Sequence, residues 1–233
     1  MEILAIGAHP DDIELGCGGL LIKAVRSGHN VSIYTATRGG AGGDPKTRVK
    51  EAQKSARFIG AKALWLDNLP DTRLREGIDL ISRIESRIDI VRPDIILTHH
   101  ANDVHHDHRT MARATLEAAR FESNILAYEI PLTRDFEPKI FFDISDVADD
   151  KVELVNLFAS QNQKAYLRAD AIKGLAGFRA LQSRFGEPVS FVEAFDVAKM
   201  CLGADFNLRK VPYEKPQVQK NQEAPKVELS TLV

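Results

Sequence analysis

Cysteine is nearly missing from this chain. Two residues, Cys17 and Cys201, occur in 233, and they form no CxxC pair. A disulfide framework is excluded, and Cys17 reads as a small core residue of the first helix. No run of about 18 apolar residues exists, so no membrane-spanning helix is expected. The chain opens directly into a strand pattern, without a basic segment and hydrophobic signal core, from which a cytoplasmic protein is expected. Charge of one sign is lacking too: the net charge is -2, and the 27% of charged residues mix both signs. That balance gives no attraction to nucleic acid or anionic membrane, and leaves a small or neutral substrate as the default. No internal repeat is present.

What is there alternates. Short β-rich runs at 2–6, 31–35, 63–66, 94–98, 125–130, 139–144 and 190–195 are separated by helical patterns at about 16–27, where a glycine run opens the helix, 46–58, 78–91, 109–121 and 145–160, with a surface-facing helical region at 162–186. This order predicts a single-domain α/β fold, Rossmann-like, with a mostly parallel β-sheet between helical layers. The domain is expected over residues 1–204. Residues 205–233, rich in Lys, Gln, Glu and Pro without periodicity, are expected to form a polar extended or disordered tail.

Two stretches carry chemistry. His9-Pro10-Asp11-Asp12-Ile13-Glu14 follows the first strand, where open α/β sheets place their ligand crevices. His99 to His108 follows the fourth predicted strand and holds five of the seven histidines. A catalytic zinc takes three protein ligands and keeps one position open. His9, Asp12 and one histidine of the second loop would supply them if the two strands are neighbours. Asp11 would then be free to take a proton from water. Residue chemistry alone does not rank the five histidines, although His105-x-x-His108 at a helix start allows two to face one cleft. Read individually, His9 suits a strand end, and Asp11, Asp12 and Glu14 suit a helix dipole.

The ordered set His9-Pro10-Asp11-Asp12 with Gly18-Gly19, Arg48-x-x-Glu51-Ala52, Leu69-Pro70-Asp71, His105-His106-Asp107-His108, Tyr128-Glu129, Ser160-Gln161 and Glu193-Ala194-Phe195 resembles the LmbE-like (PIG-L) zinc deacetylase superfamily. The resemblance spans roughly residues 2–200. It is greatest to the branch containing the bacillithiol-pathway N-acetylglucosaminyl-malate deacetylase. It implies zinc ligands His9, Asp12 and His108, a general base Asp11, an electrophilic His105, and substrate contacts at Arg48, Tyr128 and Glu129. It also implies a small N-acetyl sugar as substrate, hydrolysis of its acetamide, and a homo-oligomer. Mixed His/Asp ligands admit Fe2+ or Mn2+ as well as Zn2+.

Two other readings stand beside it. A nucleotide-binding Rossmann protein fits the strand-glycine-helix order, but GxGxxG is absent, and Thr35-Ala36-Thr37 ends the second strand where an acidic residue belongs. A zinc-binding carbohydrate module would keep the metal without turnover. The glycines at 39–43 are expected to form a flexible cleft rim, and Glu14 to orient its loop or cap the helix.

Overall fold

The computed structural model describes residues 1–186, 188–202 and 208. Seven strands, β1 (Glu2–Gly7), β2 (Asn30–Thr37), β3 (Ala63–Leu69), β4 (Ile95–His99), β5 (Ile125–Tyr128), β6 (Ile140–Asp143) and β7 (Val192–Lys199), form one sheet in the order β3-β2-β1-β4-β5-β7-β6. The first five run parallel, and β7 lies antiparallel to both β5 and β6. The helices are α1 (Asp12–Arg26), α2 (Pro45–Ile59), α3 (Ile78–Val91), α4 (His106–Ala118), α5 (Ala148–Asn156) and α6 (Ala169–Ser183). The expected α/β class with a mostly parallel sheet is therefore observed. Apart from Leu208, the expected tail at 205–233 lies outside the described residues.

Alternation along β1 feeds both core layers. Ile3 and Ala5 pack with Ile13, Leu21, Ile59 and Leu154 on one face, while Leu4 and Ile6 pack with Ile84, Ile88 and Met111 on the other. A strand covered on both faces must be apolar at every position, which is why residues 3–6 read as a continuous run.

Helix α1 starts at Asp12, ahead of the glycine run expected to open it, and is broken at Cys17 (φ -141°, ψ 18°). The break exposes fresh backbone donors inside the protein. Glu193 on β7 takes them, accepting from the amides of Gly19 and Leu20 at 2.8 and 2.7 Å, with Lys151 donating to the same carboxylate at 2.7 Å. Gly16 is required by proximity: a Cβ there would lie 2.3 Å from the Tyr128 ring.

Two helix starts differ from expectation. Helix α4 begins at His106, three residues before Arg109, because His105 acts as its N-cap, its Nδ1 accepting from the Asp107 amide at 3.2 Å. Ser145 does not cap α5: residues 145–147 make a 3-10 turn, and the Ser145 hydroxyl donates instead to Asp143 at 2.7 Å. Between 162 and 186 the α-helical part is α6 alone, and it buries Ile172, Ala176 and Arg179.

Candidate active site

The strand order reverses direction between β1 and β4, and these two are paired neighbours, Ile3 to Ile95 and Ala5 to Leu97. Their carboxyl ends open into one crevice. The loop after β1 and the loop after β4 meet there in a cleft of about 290 Å3.

At its floor, His9 Nδ1, the Asp12 carboxylate and His108 Nε2 face one another. The separations are 3.2 Å from His9 to Asp12, 3.3 Å from His108 to Asp12 and 3.3 Å between the two imidazoles. Ligands about 2.0–2.1 Å from a tetrahedral ion lie roughly 3.3–3.4 Å apart, so this donor set fits a divalent cation. His9, Asp12 and His108 also link three overlapping groups of donors close enough to share an ion: His9/His105/His108, Asp12/His99/His108 and His9/Asp71/Asp107. The far nitrogens of two of these imidazoles meet carboxylates. His9 Nε2 lies 3.1 Å from Asp107 and 3.0 Å from Asp71, and His108 Nδ1 lies 3.1 Å from Asp103. A carboxylate behind each imidazole fixes its proton on the far side and aims the other lone pair at the shared centre.

The charges agree with that arrangement. Burial alone would raise the Asp12 carboxyl, but His108, His9 and His99 hold it well below its ordinary value. Burial alone would lower His108, but Asp12 and Asp103 push it up to about 9. His9 is raised well above its ordinary value against the same opposition, chiefly by Asp12. Both imidazoles are therefore held towards their protonated forms beside Asp12.

The other histidines of the second loop separate cleanly. His99 Nε2 accepts from the Ala8 amide at 3.0 Å, its ring stacks on His108 at 4.1 Å, and burial followed by the His108 charge lowers it to about 4. His100 turns to Asp196 and Phe136, and His106 meets the Leu74 carbonyl at 2.9 Å. His105 stays on the cleft wall. Its Nδ1 accepts from the Asp107 amide, so in the neutral ring the proton sits on Nε2. Burial, then His108 and His9, lower its pKa and keep it neutral.

Asp11 adopts φ 102°, a conformation costly for any residue but glycine. It makes no cap hydrogen bond and lines the cleft. Burial and the neighbouring Asp12 charge raise its carboxyl to about 6, against Arg48 and Lys164. Arg48 is buried, with its guanidinium 3.4 Å from Asp11 and donating to the Pro10 carbonyl. It is no surface charge, and it also lines the cleft.

Three expectations need correction. Tyr128 is fully buried, with its hydroxyl donating to the Ile6 carbonyl at 2.9 Å, so the position sits beneath the cleft and not in it. Glu129 points the other way and forms a two-pronged ion pair with Arg179. Glu14 neither caps α1 nor steers its loop. It accepts from Ser55 on α2, and burial raises its carboxyl to about 7. The glycine loop does line the rim, but it is pinned: the Ala41 amide donates to Asp71 at 2.7 Å, and Gln161 donates to the Gly42 carbonyl at 3.0 Å. Asp71, Asp103 and Asp107, which hold the imidazoles, were not separable from turn and cap residues by sequence pattern; their signal was only their place in the same two strand-end loops and in Leu69-Pro70-Asp71.

A nucleotide finds nothing suitable here. The first turn of α1 presents Asp12, with Asp11 before it, where a pyrophosphate would need bare amides.

Residues 4–119 match the GlcNAc-PI de-N-acetylase family, PIG-L. The uncharacterized deacetylase YaiS of Escherichia coli K12 is 35% identical over 155 residues, covering 62% of this chain and 82% of that protein. Diacetylchitobiose deacetylase of Thermococcus kodakarensis is 28% identical over 186 residues, covering 69% and 70%. The crystal structure of GalB, a 4-carboxy-2-hydroxymuconate hydratase from Pseudomonas putida KT2440, superposes with a TM-score of 0.75 over 96% of this chain and 100% of that one, at 19% identity. That last likeness is one of fold alone, and it shows two named chemistries on one architecture. With its sequence match and the His9, Asp12 and His108 floor, the chain belongs to the PIG-L deacetylase family.

Proposed function

We propose that this protein is a zinc-dependent N-deacetylase that hydrolyses the acetamide of a small N-acetylglucosamine-containing molecule. The observation that carries the reading is the 3.2–3.3 Å spacing among His9 Nδ1, His108 Nε2 and the two Asp12 carboxylate oxygens, with Asp11 and His105 lining the same cleft. His9, Asp12 and His108 would hold the ion, which supplies Lewis acidity to the amide carbonyl and makes a water more acidic. Asp11 takes the proton as that water adds to the carbonyl carbon. His105 donates its Nε2 proton as a hydrogen bond to the oxygen where negative charge develops. Asp11 then returns its proton to the nitrogen as the C–N bond breaks, releasing acetate and a free amino sugar. Arg48 holds Asp11 in its strained conformation and presents its remaining donors to the sugar.

The test is metal analysis of the purified protein together with acetate release from N-acetylglucosamine, its malate conjugate and diacetylchitobiose, with and without chelator. One ion per chain and chelator-sensitive acetate release are expected, with Zn2+ compared against Fe2+ and Mn2+ by reconstitution. Bound ion without turnover of any N-acetyl sugar overturns the reading in favour of a binding module. Cytoplasmic location and a homo-oligomer belong to the same proposal, and light scattering of the intact chain tests the second.

A further inference from the structure

Four aliphatic side chains, Leu15, Val104, Ile130 and Leu132, line the cleft. Leu15 and Ile130, both buried, stand beside the floor, and Val104 and Leu132 stand at the mouth, 40% and 55% exposed. Those two exposures are not scattered singles. Asp103 and Thr133 form an isolated antiparallel bridge that ties the loop carrying Val104 to the turn carrying Leu132, a turn closed by the Thr133 amide donating to the Ile130 carbonyl at 2.8 Å. Val104 and Leu132, the neighbours of the two bridged residues, are both exposed and both line the cleft. Asp103 is buried beneath, accepting from the Thr133 hydroxyl at 2.9 Å and the His105 amide at 2.8 Å, and it lies 3.1 Å from His108 Nδ1. The apolar pair is thus a small preformed lip anchored to the carboxylate that lies behind His108.

We infer that Val104 and Leu132 determine specificity, and that the substrate is an N-acetylated amino sugar carrying an apolar substituent on the part of the molecule away from its acetamide. This rests on the proposed deacetylation. The reacting amide must reach His9, Asp12 and His108, all 9% exposed or less, whereas the lip stands at the opening. Whatever meets the lip is therefore remote from the bond that breaks. A second polar sugar would leave both side chains wet or desolvate its own hydroxyls against them, whereas an aryl or alkyl group covers them with no polar loss.

The experiment compares N-acetylglucosamine, diacetylchitobiose and phenyl β-N-acetylglucosaminide as substrates of the metal-loaded protein. The binding of the first and third to the metal-free protein is measured by calorimetry. The phenyl glycoside should exceed the other two by about tenfold in kcat/KM, mainly through KM, as burial of one small apolar group implies. In Val104→Ser and Leu132→Ser the ratio of phenyl glycoside to N-acetylglucosamine should collapse towards one, and Leu132→Met should keep it. Equal kcat/KM for the three substrates, or a ratio unmoved by both serine variants, overturns the lip. Absence of turnover with all three, while the metal-free protein still prefers the phenyl glycoside and loses that preference in the serine variants, overturns the deacetylation and leaves the lip standing.

Discussion

The turn from Ala8 to Asp11 and the loop from His100 to His105 deliver side chains to the same cleft floor, but they are held differently. The first is short and is fixed from outside: Arg48 grips the Pro10 carbonyl and flanks Asp11, the Ala8 amide is tied to His99, and Asp11 carries the strain at φ 102°. The second is longer and, besides its bridge to Thr133, adds bonds of its own. Asp103 accepts from the His105 amide two residues on, and Arg109 donates to the carbonyls of Asp103 and Val104 at 2.7 Å. The contrast lies in support. The short turn closes on itself through the His9 amide donating to Asp12 at 2.7 Å and is otherwise held by other elements, whereas the long loop supplies more of its own bonds.

Removing a floor residue should give the largest effect and erase the contrast. His9→Ala, Asp12→Ala and His108→Ala are each expected to lose the metal and turnover together, read by metal analysis after dialysis. Asp11→Asn should restore the contrast by dividing the two readouts, with kcat falling about 10²–10⁴-fold while metal content stays near that of the parent. Equal metal loss in Asp11→Asn contradicts the division between base and ligands. The longer loop is tested by Asp103→Asn, which leaves the fold in place but weakens the group behind His108. About 10–100-fold weaker metal binding is expected, measured by competition with a chromophoric chelator.

A smaller effect follows from protons held in the metal-free site. His108, raised to about 9, adds stability to the metal-free protein that is complete below its ordinary value of 6.5 and is lost as pH rises through about 9. A metal must displace that proton, so apparent metal affinity should climb with pH up to about 9, with proton release visible as a buffer-dependent binding enthalpy. The smallest change expected concerns neither loop: Gly16→Ala forces a methyl into the Tyr128 ring and should cost about 1–3 kcal/mol in a denaturant titration.

How much of this was legible depended on whether a residue's task is local. Residues 3–6 could only be a doubly covered strand, and a strand stopping at Pro10, Asp11 and Asp12 marks a crevice before any neighbour is known. The amphipathic spacing of Ile81, Ile84 and Ile88 set α3 at 78–91 with no help from the rest of the chain. Tyr128 failed because which face of β5 it occupies follows from pairing, with His99 opposite it on β4 and the Gly16 opening beneath it. An arginine on an amphipathic helix such as α2 has the pattern of a surface charge, and only the packing of α2 against the first turn shows that Arg48 is buried. The carboxylates behind the imidazoles were hidden for a related reason. Asp71, Asp103 and Asp107 each also accept a backbone amide of a nearby turn, from Ala41, His105 and Leu74, and turn chemistry explains an aspartate in a loop without any metal.

Asp71 touches both ends of the cleft. One oxygen accepts the Ala41 amide of the rim and the other faces His9 Nε2 on the floor. Mouth and floor are therefore linked thermodynamically: a ligand that shifts the 39–43 rim alters the group that orients His9, and an ion held by His9 alters the rim in return. The two couplings must be equal in free energy, because linkage between binding events is reciprocal. The rim of this cleft is in that sense part of the metal affinity proposed for its floor.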